Sequence, residues 1–332
     1  MDGYSIDFLG QRYGCGRRGK MMHDNAGALG GECSADGLTY ATSTAGDKHN
    51  LAMQPGFHAG REMFRYFMSS DYLPMKRMRV AITRGVSPAI EACELTFLER
   101  EAVDVENARA QHSLYEEILG GLGCRVEHLD EELDFPDSVF VEDIAIVLDE
   151  IAVITRPGAL SRRGERPSIE QALAPHRSLK HIQAPAILDG GDVMVVAKDI
   201  YVGISSRSNS EAVRQLRALV TDHGYRVVEV EFNGCLHLKS AMTAVSDDTL
   251  LINPEWVDAG AFPEYACISV DPAEPSAANV VRIGSTVLFA ADFPRTGQRL
   301  SAIGYDARPV VASELAKAEG ALTCCSLIFE VP

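Results

Sequence analysis

Four stretches of this chain share one grammar at nearly constant spacing. "FVEDIAIVLDEIAVITRPGALSRRGE" (140–165) reads as a polar opening, a short apolar strand, the turn "LDE", a second strand and an arginine-bearing exit. "ILDGGDVMVVAKDIYVGISSRSNSEA" (187–212), "LHLKSAMTAVSDDTLLINPE" (236–255) and "SAANVVRIGSTVLFAADFP" (276–294) repeat it around the turns "AKD", "SDD" and "IGS". With Glu142, Asp189, His237, Asn279 and Cys324 as opening residues, the steps are 47, 48, 42 and 45. A period of about 40–50 residues belongs to propellers and solenoids. Helical signals lie between the hairpins, as in "VENARAQHSLYEEILGGLG" (105–123), an amphipathic run closed by glycine. An all-β propeller therefore fits poorly, and a ring of ββαβ-type units fits better. The first strand, "RMRVAITRG", and the last, after Cys324, are expected to share one unit. A doubly wound sheet is the alternative, but neither of its glycine-rich phosphate signatures follows a strand.

The first 78 residues differ in kind. They hold eight of the ten methionines and twelve of the 28 glycines, with no valine and only Ile6 as isoleucine. Without β-branched residues they cannot easily form strands. Nine basic and eight acidic residues give this segment +1, against −16 for the chain. Residues 1–78 are thus expected to be a poorly ordered extension, with Met75 and Met78 as candidate native starts, and 79–332 the folded catalytic domain. A small helical cap around "GREMFRYFM" (60–68) is the other reading.

The net charge of −16 argues against nucleic acid and against an anionic membrane surface. No apolar run approaches the ~20 residues of a membrane span, and no apolar signal segment stands near Met1. Eight scattered cysteines show no disulfide framework, which suggests free thiols in a reducing cytoplasm.

In a pseudo-symmetric ring, equivalent positions face the common axis. Two carboxylates, a histidine and a cysteine would then meet in one pocket, the constellation of a nucleophile with its base. Singly, each residue has a plainer reading. Cys324 and Cys325 could be buried strand cysteines. Strand alternation would send the two thiols to opposite faces, Cys325 with Leu327 and Phe329. His237 could be a turn histidine, and Cys235 two residues away is weak evidence for zinc. Co-occurrence at a regular period favours the chemical reading.

"FPDSVFVED", "ITRPGALSRRGE", "LDGGD", "LHLKS" and "TCCS" occur in this order. Together they resemble the dimethylarginine dimethylaminohydrolases, over about residues 79–332. The resemblance implies a five-bladed α/β propeller with no metal or cofactor. It implies Cys324 as nucleophile, His237 as general acid/base and Asp189 as its partner, where several relatives carry glutamate. Glu142 and Asp143 would contact the substrate guanidinium and Asp137 the amino-acid end. Arg162 and Arg207 would clamp the α-carboxylate. A loop at 85–101 would close over the substrate, with Leu95 in contact, and Ala318 would offer a backbone carbonyl. The implied partner is a small methylated arginine, with a homodimer possible. Arginine deimination, amidino transfer and a non-catalytic propeller are the competing functions.

Overall fold

A computed structural model describes residues 77–331. All but the last two residues of the proposed extension lie outside them.

The described chain is a mixed α/β fold with fifteen short strands in five three-stranded sheets. Strand β1 (Met78–Arg84) lies between the last strand, β15 (Leu327–Val331), and β2 (Cys124–Leu129). The second sheet holds β3 (Ala145–Val147), β4 (Ile151–Ile154) and β5 (Ser178–His181). The third holds β6 (Val193–Val196), β7 (Asp199–Gly203) and β8 (Arg226–Val230). The fourth holds β9 (Met242–Ala244), β10 (Thr249–Ile252) and β11 (Ala266–Ser269). The fifth holds β12 (Val280–Ile283), β13 (Thr286–Ala290) and β14 (Asp306–Val310). In every sheet the middle strand pairs antiparallel on one side and parallel on the other. In four of the sheets the antiparallel pair is the hairpin seen in the sequence. The first and last strands do share a sheet, with Val80 opposite Phe329.

A parallel pair needs a crossover, and a helix usually supplies it. Helices α1 (Val105–Gly121), α2 (Arg166–Leu173), α3 (Ser210–Val220) and α5 (Pro294–Ala302) cross over in four sheets. Asp104 caps α1 by accepting from Asn107 N at 3.0 Å, and Asn209 caps α3 through Ala212 N at 3.0 Å. The fourth sheet departs from the expected unit: its crossover holds only the 3-10 turn Ala259–Ala261.

Five apolar clusters fill the junctions. Val80 and Ile82 of the first sheet meet Ile144 and Ile154 of the second. Val153 meets Val202, Tyr201 meets Leu250, and Leu251 meets Val287 at the next three junctions. Leu288 of the fifth sheet then packs with Ala81 of the first. The neighbour contacts form a closed cycle, while the last strand of a sheet stays exposed, as in Ala266–Ser269. Each such side chain contributes about 1.5–3 kcal/mol on burial.

Candidate active site

Each first strand of a sheet is preceded by a short turn or helix that carries the opening residue. Glu142 and Asp143 sit in the 3-10 turn Val141–Ile144, and Asp189 caps the turn Gly190–Asp192. His237 is the N-cap of α4 (Leu238–Ala241), and Cys324 lies in the turn Thr323–Cys325. The cysteine pair is therefore in a turn, not in the expected strand. What separates the thiols is turn geometry: Cys324 lines a cavity, while Cys325 donates to Ala321 O at 3.4 Å.

The cavity at Cys324 is about 20 Å³ and is walled by Glu94, Asp137, Asp143, Arg162, Arg207 and His237, with Ala318 and Gly320 also in its lining. A second cavity, about 340 Å³, opens beyond Leu236, Glu319 and Gly320. It is larger, but Cys324, His237 and Asp143 do not line it, so the smaller one is the candidate site.

His237 Nε2 lies 3.1 Å from Asp189 Oδ2, and its Nδ1 lies 3.8 Å from Asp143 Oδ1. Burial pulls the imidazole down, but Asp143, Asp189 and Asp192 outweigh it and raise it to about 9. Asp189 is itself held, accepting from Gly158 N at 2.8 Å. The two glycines of "LDGGD" follow from crowding. A Cβ on Gly191 would lie 2.5 Å from His237 Nδ1, and one on Gly190 1.9 Å from Glu142 O. Asp192, fully buried, accepts from Leu238 N at 3.0 Å and from Ser205 Oγ at 2.6 Å. It fixes the backbone beside His237 and was missed in the sequence, although it is the second acid of that motif.

Asp143 accepts from Gly191 N at 2.9 Å and pairs with Arg162. Burial works against its charge, but His237 and Arg162 prevail and hold the carboxyl below its ordinary range. Burial of Cys324, with Glu142 and Asp143 nearby, pushes that thiol up to about 12. At neutral pH the resting pair is thus imidazolium and thiol.

The five residues expected to bind substrate around this pair are placed differently. Glu142 does not line the cavity. Its oxygens take Lys239 Nζ and Thr323 Oγ1, because adjacent carboxylates on a one-turn helix point to different sides. Arg162 lines the cavity, but most of its donors are spent on Glu165, Asp143 and the carbonyls of Asp137 and Phe140. Arg207 is less committed, with Nη2 at 3.3 Å from Thr96 Oγ1 and Nη1 at 3.8 Å from Asp189. Leu95 packs on the apolar cluster at the junction of the first and fifth sheets, and Glu94 takes the cavity wall instead. Asp137 does line the cavity and accepts from Glu94 N at 3.1 Å.

The loop after β1 is tied down by a residue that carried no sequence signal. The backbone N–H groups of Thr96, Phe97 and Leu98 all donate to the Glu319 carboxylate, at 2.9, 2.5 and 2.6 Å. Glu319 holds this position with a left-handed φ of 57°.

Asp143, Asp189 and His237 offer ligand atoms within 4.8 Å of one another and are the group, among the described residues, that could hold a metal ion. Asp189 and His237 are hydrogen-bonded to each other, and Asp143 is bonded to Gly191 N and Arg162. No helix of the described residues is long and apolar enough to cross a membrane.

A buried thiol, a histidine and carboxylates meet on one small cavity in a five-sheet α/β frame, the residue set of a candidate hydrolase site. The family model for "N,N dimethylarginine dimethylhydrolase, eukaryotic" matches residues 88–261. The N(G),N(G)-dimethylarginine dimethylaminohydrolase of Streptomyces coelicolor is 40% identical, over 77% of this chain and 97% of the relative. That of Pseudomonas aeruginosa is 35% identical, over 68% and 90%. A solved structure of the Pseudomonas aeruginosa protein, a cysteine-to-serine mutant complexed with citrulline, superposes with a TM-score of 0.73 at 32% identity, covering 76% of this chain and all of the other. The chain belongs to the dimethylarginine dimethylaminohydrolase family.

Proposed function

We propose that the chain hydrolyses Nω-methylated arginines to citrulline and the methylamine, with its five sheets as the blades of a five-bladed α/β propeller. The observation that carries this reading is the meeting of Cys324, the His237–Asp189 pair and Asp143 on one cavity. The closed cycle of sheet contacts supports the propeller.

The substrate carbon is a resonance-stabilised cation that resists water. Asp143 would hold the guanidinium by charge-assisted hydrogen bonds. The cation beside the thiol favours the thiolate, which attacks the carbon and forms the C–S bond. His237 gives its proton to the departing amine as the C–N bond breaks. It then takes a proton from water, which adds to the thiouronium carbon, and the C–S bond breaks to release citrulline. Asp189 holds the imidazole in place throughout. Arg207 would take the α-carboxylate, Asp137 and the Ala318 carbonyl the α-amino end, and the backbone near Leu95 the closing contact.

The test is a substrate panel with amine identification. Asymmetric dimethylarginine should release dimethylamine, and monomethylarginine methylamine. Citrulline and ammonia from arginine, with methylated arginines inert, would overturn the reading in favour of deimination.

The pH profile follows from the two raised groups. The competent form carries one proton on the pair, as imidazolium and thiolate. Below about 9 both groups hold protons, so kcat/KM should climb about tenfold per pH unit and then flatten above about 9. Asp189→Asn removes a hydrogen bond and a charge that raise the imidazole, so the break should move to lower pH. A break that stays in place in this variant would show that Asp189 does not set the imidazole.

A further inference from the structure

We propose that Asn279 is the positioning residue of the nucleophile, acting through Thr323 in a hydrogen-bonded ring that Glu142 and Lys239 complete. This rests on the functional reading above. Asn279 opens the fifth-sheet unit but does not line the Cys324 cavity, unlike Asp143, His237 and Cys324, and faces the larger neighbouring cavity.

The contacts supply one. Asn279 Oδ1 accepts from Thr323 N at 3.0 Å, and its Nδ2 donates to Thr323 Oγ1 at 3.0 Å and to Lys239 O at 3.1 Å. Thr323 Oγ1 donates in turn to Glu142 Oε2 at 2.6 Å, and Lys239 Nζ donates to Glu142 Oε1. The ring thus joins the turn holding Cys324 to the helix begun by His237 and to the turn holding Asp143. One side-chain amide grips the residue before the nucleophile by both its backbone and its hydroxyl. Asn279 and Thr323 are buried, so each unpaired group here costs about 1–3 kcal/mol and the ring has few ways to relax. A reacting atom displaced by ~1 Å can lose about 10²-fold in rate.

The same ring surrounds the thiol with charge. Glu142 and Asp143 raise it and Lys239 lowers it. The Glu142–Lys239 pair therefore keeps the positioning carboxylate from acting on Cys324 as a bare anion.

Thr323→Val and Thr323→Ser separate positioning from packing. Valine keeps the shape and loses the hydroxyl; serine keeps the hydroxyl and loses the methyl. Thr323→Val and Asn279→Ala should lower kcat about 10- to 100-fold at unchanged KM, with Thr323→Ser close to wild type even if its melting temperature is the lower of the two. Wild-type kcat in Thr323→Val, or losses that follow melting temperature across the series, would overturn the proposal. Iodoacetamide alkylation of Cys324 in a Cys325→Ser background, followed by mass spectrometry, needs no substrate and so stands if the functional reading falls. At fixed pH, Lys239→Met should slow it and Glu142→Gln should speed it. Equal effects of the two variants would also overturn the proposal.

Discussion

Cys324→Ser is expected to abolish turnover, by about 10⁴-fold or more, while the melting transition stays close to wild type. The reason is the site's poor tolerance of a weaker nucleophile. Even the thiol is pushed up to about 12 by burial and by Glu142 and Asp143. A cationic substrate must offset that before attack, and a hydroxyl lies several units further from ionisation. Cys325→Ser should behave differently. Its sulfur is 1% exposed and bonded to Ala321 O, off the cavity. Placing a hydroxyl there costs stability through burial of a polar group, about 1–3 kcal/mol, and leaves turnover largely intact. Steady-state rates and thermal melts of both variants decide the matter. Equal loss of turnover in the two would contradict the separation of the thiols.

The contrast also shows where the sequence could be read and where it could not. The repeat was legible because a hairpin of short apolar strands leaves a strong local pattern, and the opening residues are polar interruptions of it. The closing pair of β1 with β15 followed from counting units. The missing helix of the fourth unit was not legible: "PEWVDAGAFPEYA" crosses over with one 3-10 turn, and length alone resembles a helical crossover. Cys324 lines the cavity and Cys325 does not, but strand alternation was the wrong reason for separating them, since "TCC" forms a turn before the strand begins at Leu327. Glu142 shows the same limit. Neighbouring acids look alike in sequence, and only the turn sends Asp143 to the cavity and Glu142 to Lys239 and Thr323. Glu319 and Asn279 act through contacts with residues 221 and 44 positions away, which no local pattern can announce.

His237→Ala should lower kcat by about 10²–10⁴-fold, and the way it fails is informative. The histidine serves twice, first as acid toward the amine and then as base toward water. Dimethylamine is a poor leaving group without a proton, so with the natural substrate both steps slow. A substrate whose leaving group departs without protonation, such as S-methyl-L-thiocitrulline, bypasses only the first. Thiolate formation remains open, because the cationic substrate and Lys239, both present in the variant, lower the thiol. The variant should then accumulate the thiouronium adduct on Cys324, since no base is left to activate water. Intact-protein mass spectrometry after acid quench reads this directly, and Asp189→Asn should give a smaller accumulation, because its imidazole is present but poorly held. Rapid adduct turnover in His237→Ala would mean that another group supplies the base. Asp143, 3.8 Å from the imidazole on the opposite side from Asp189, is the residue to replace next.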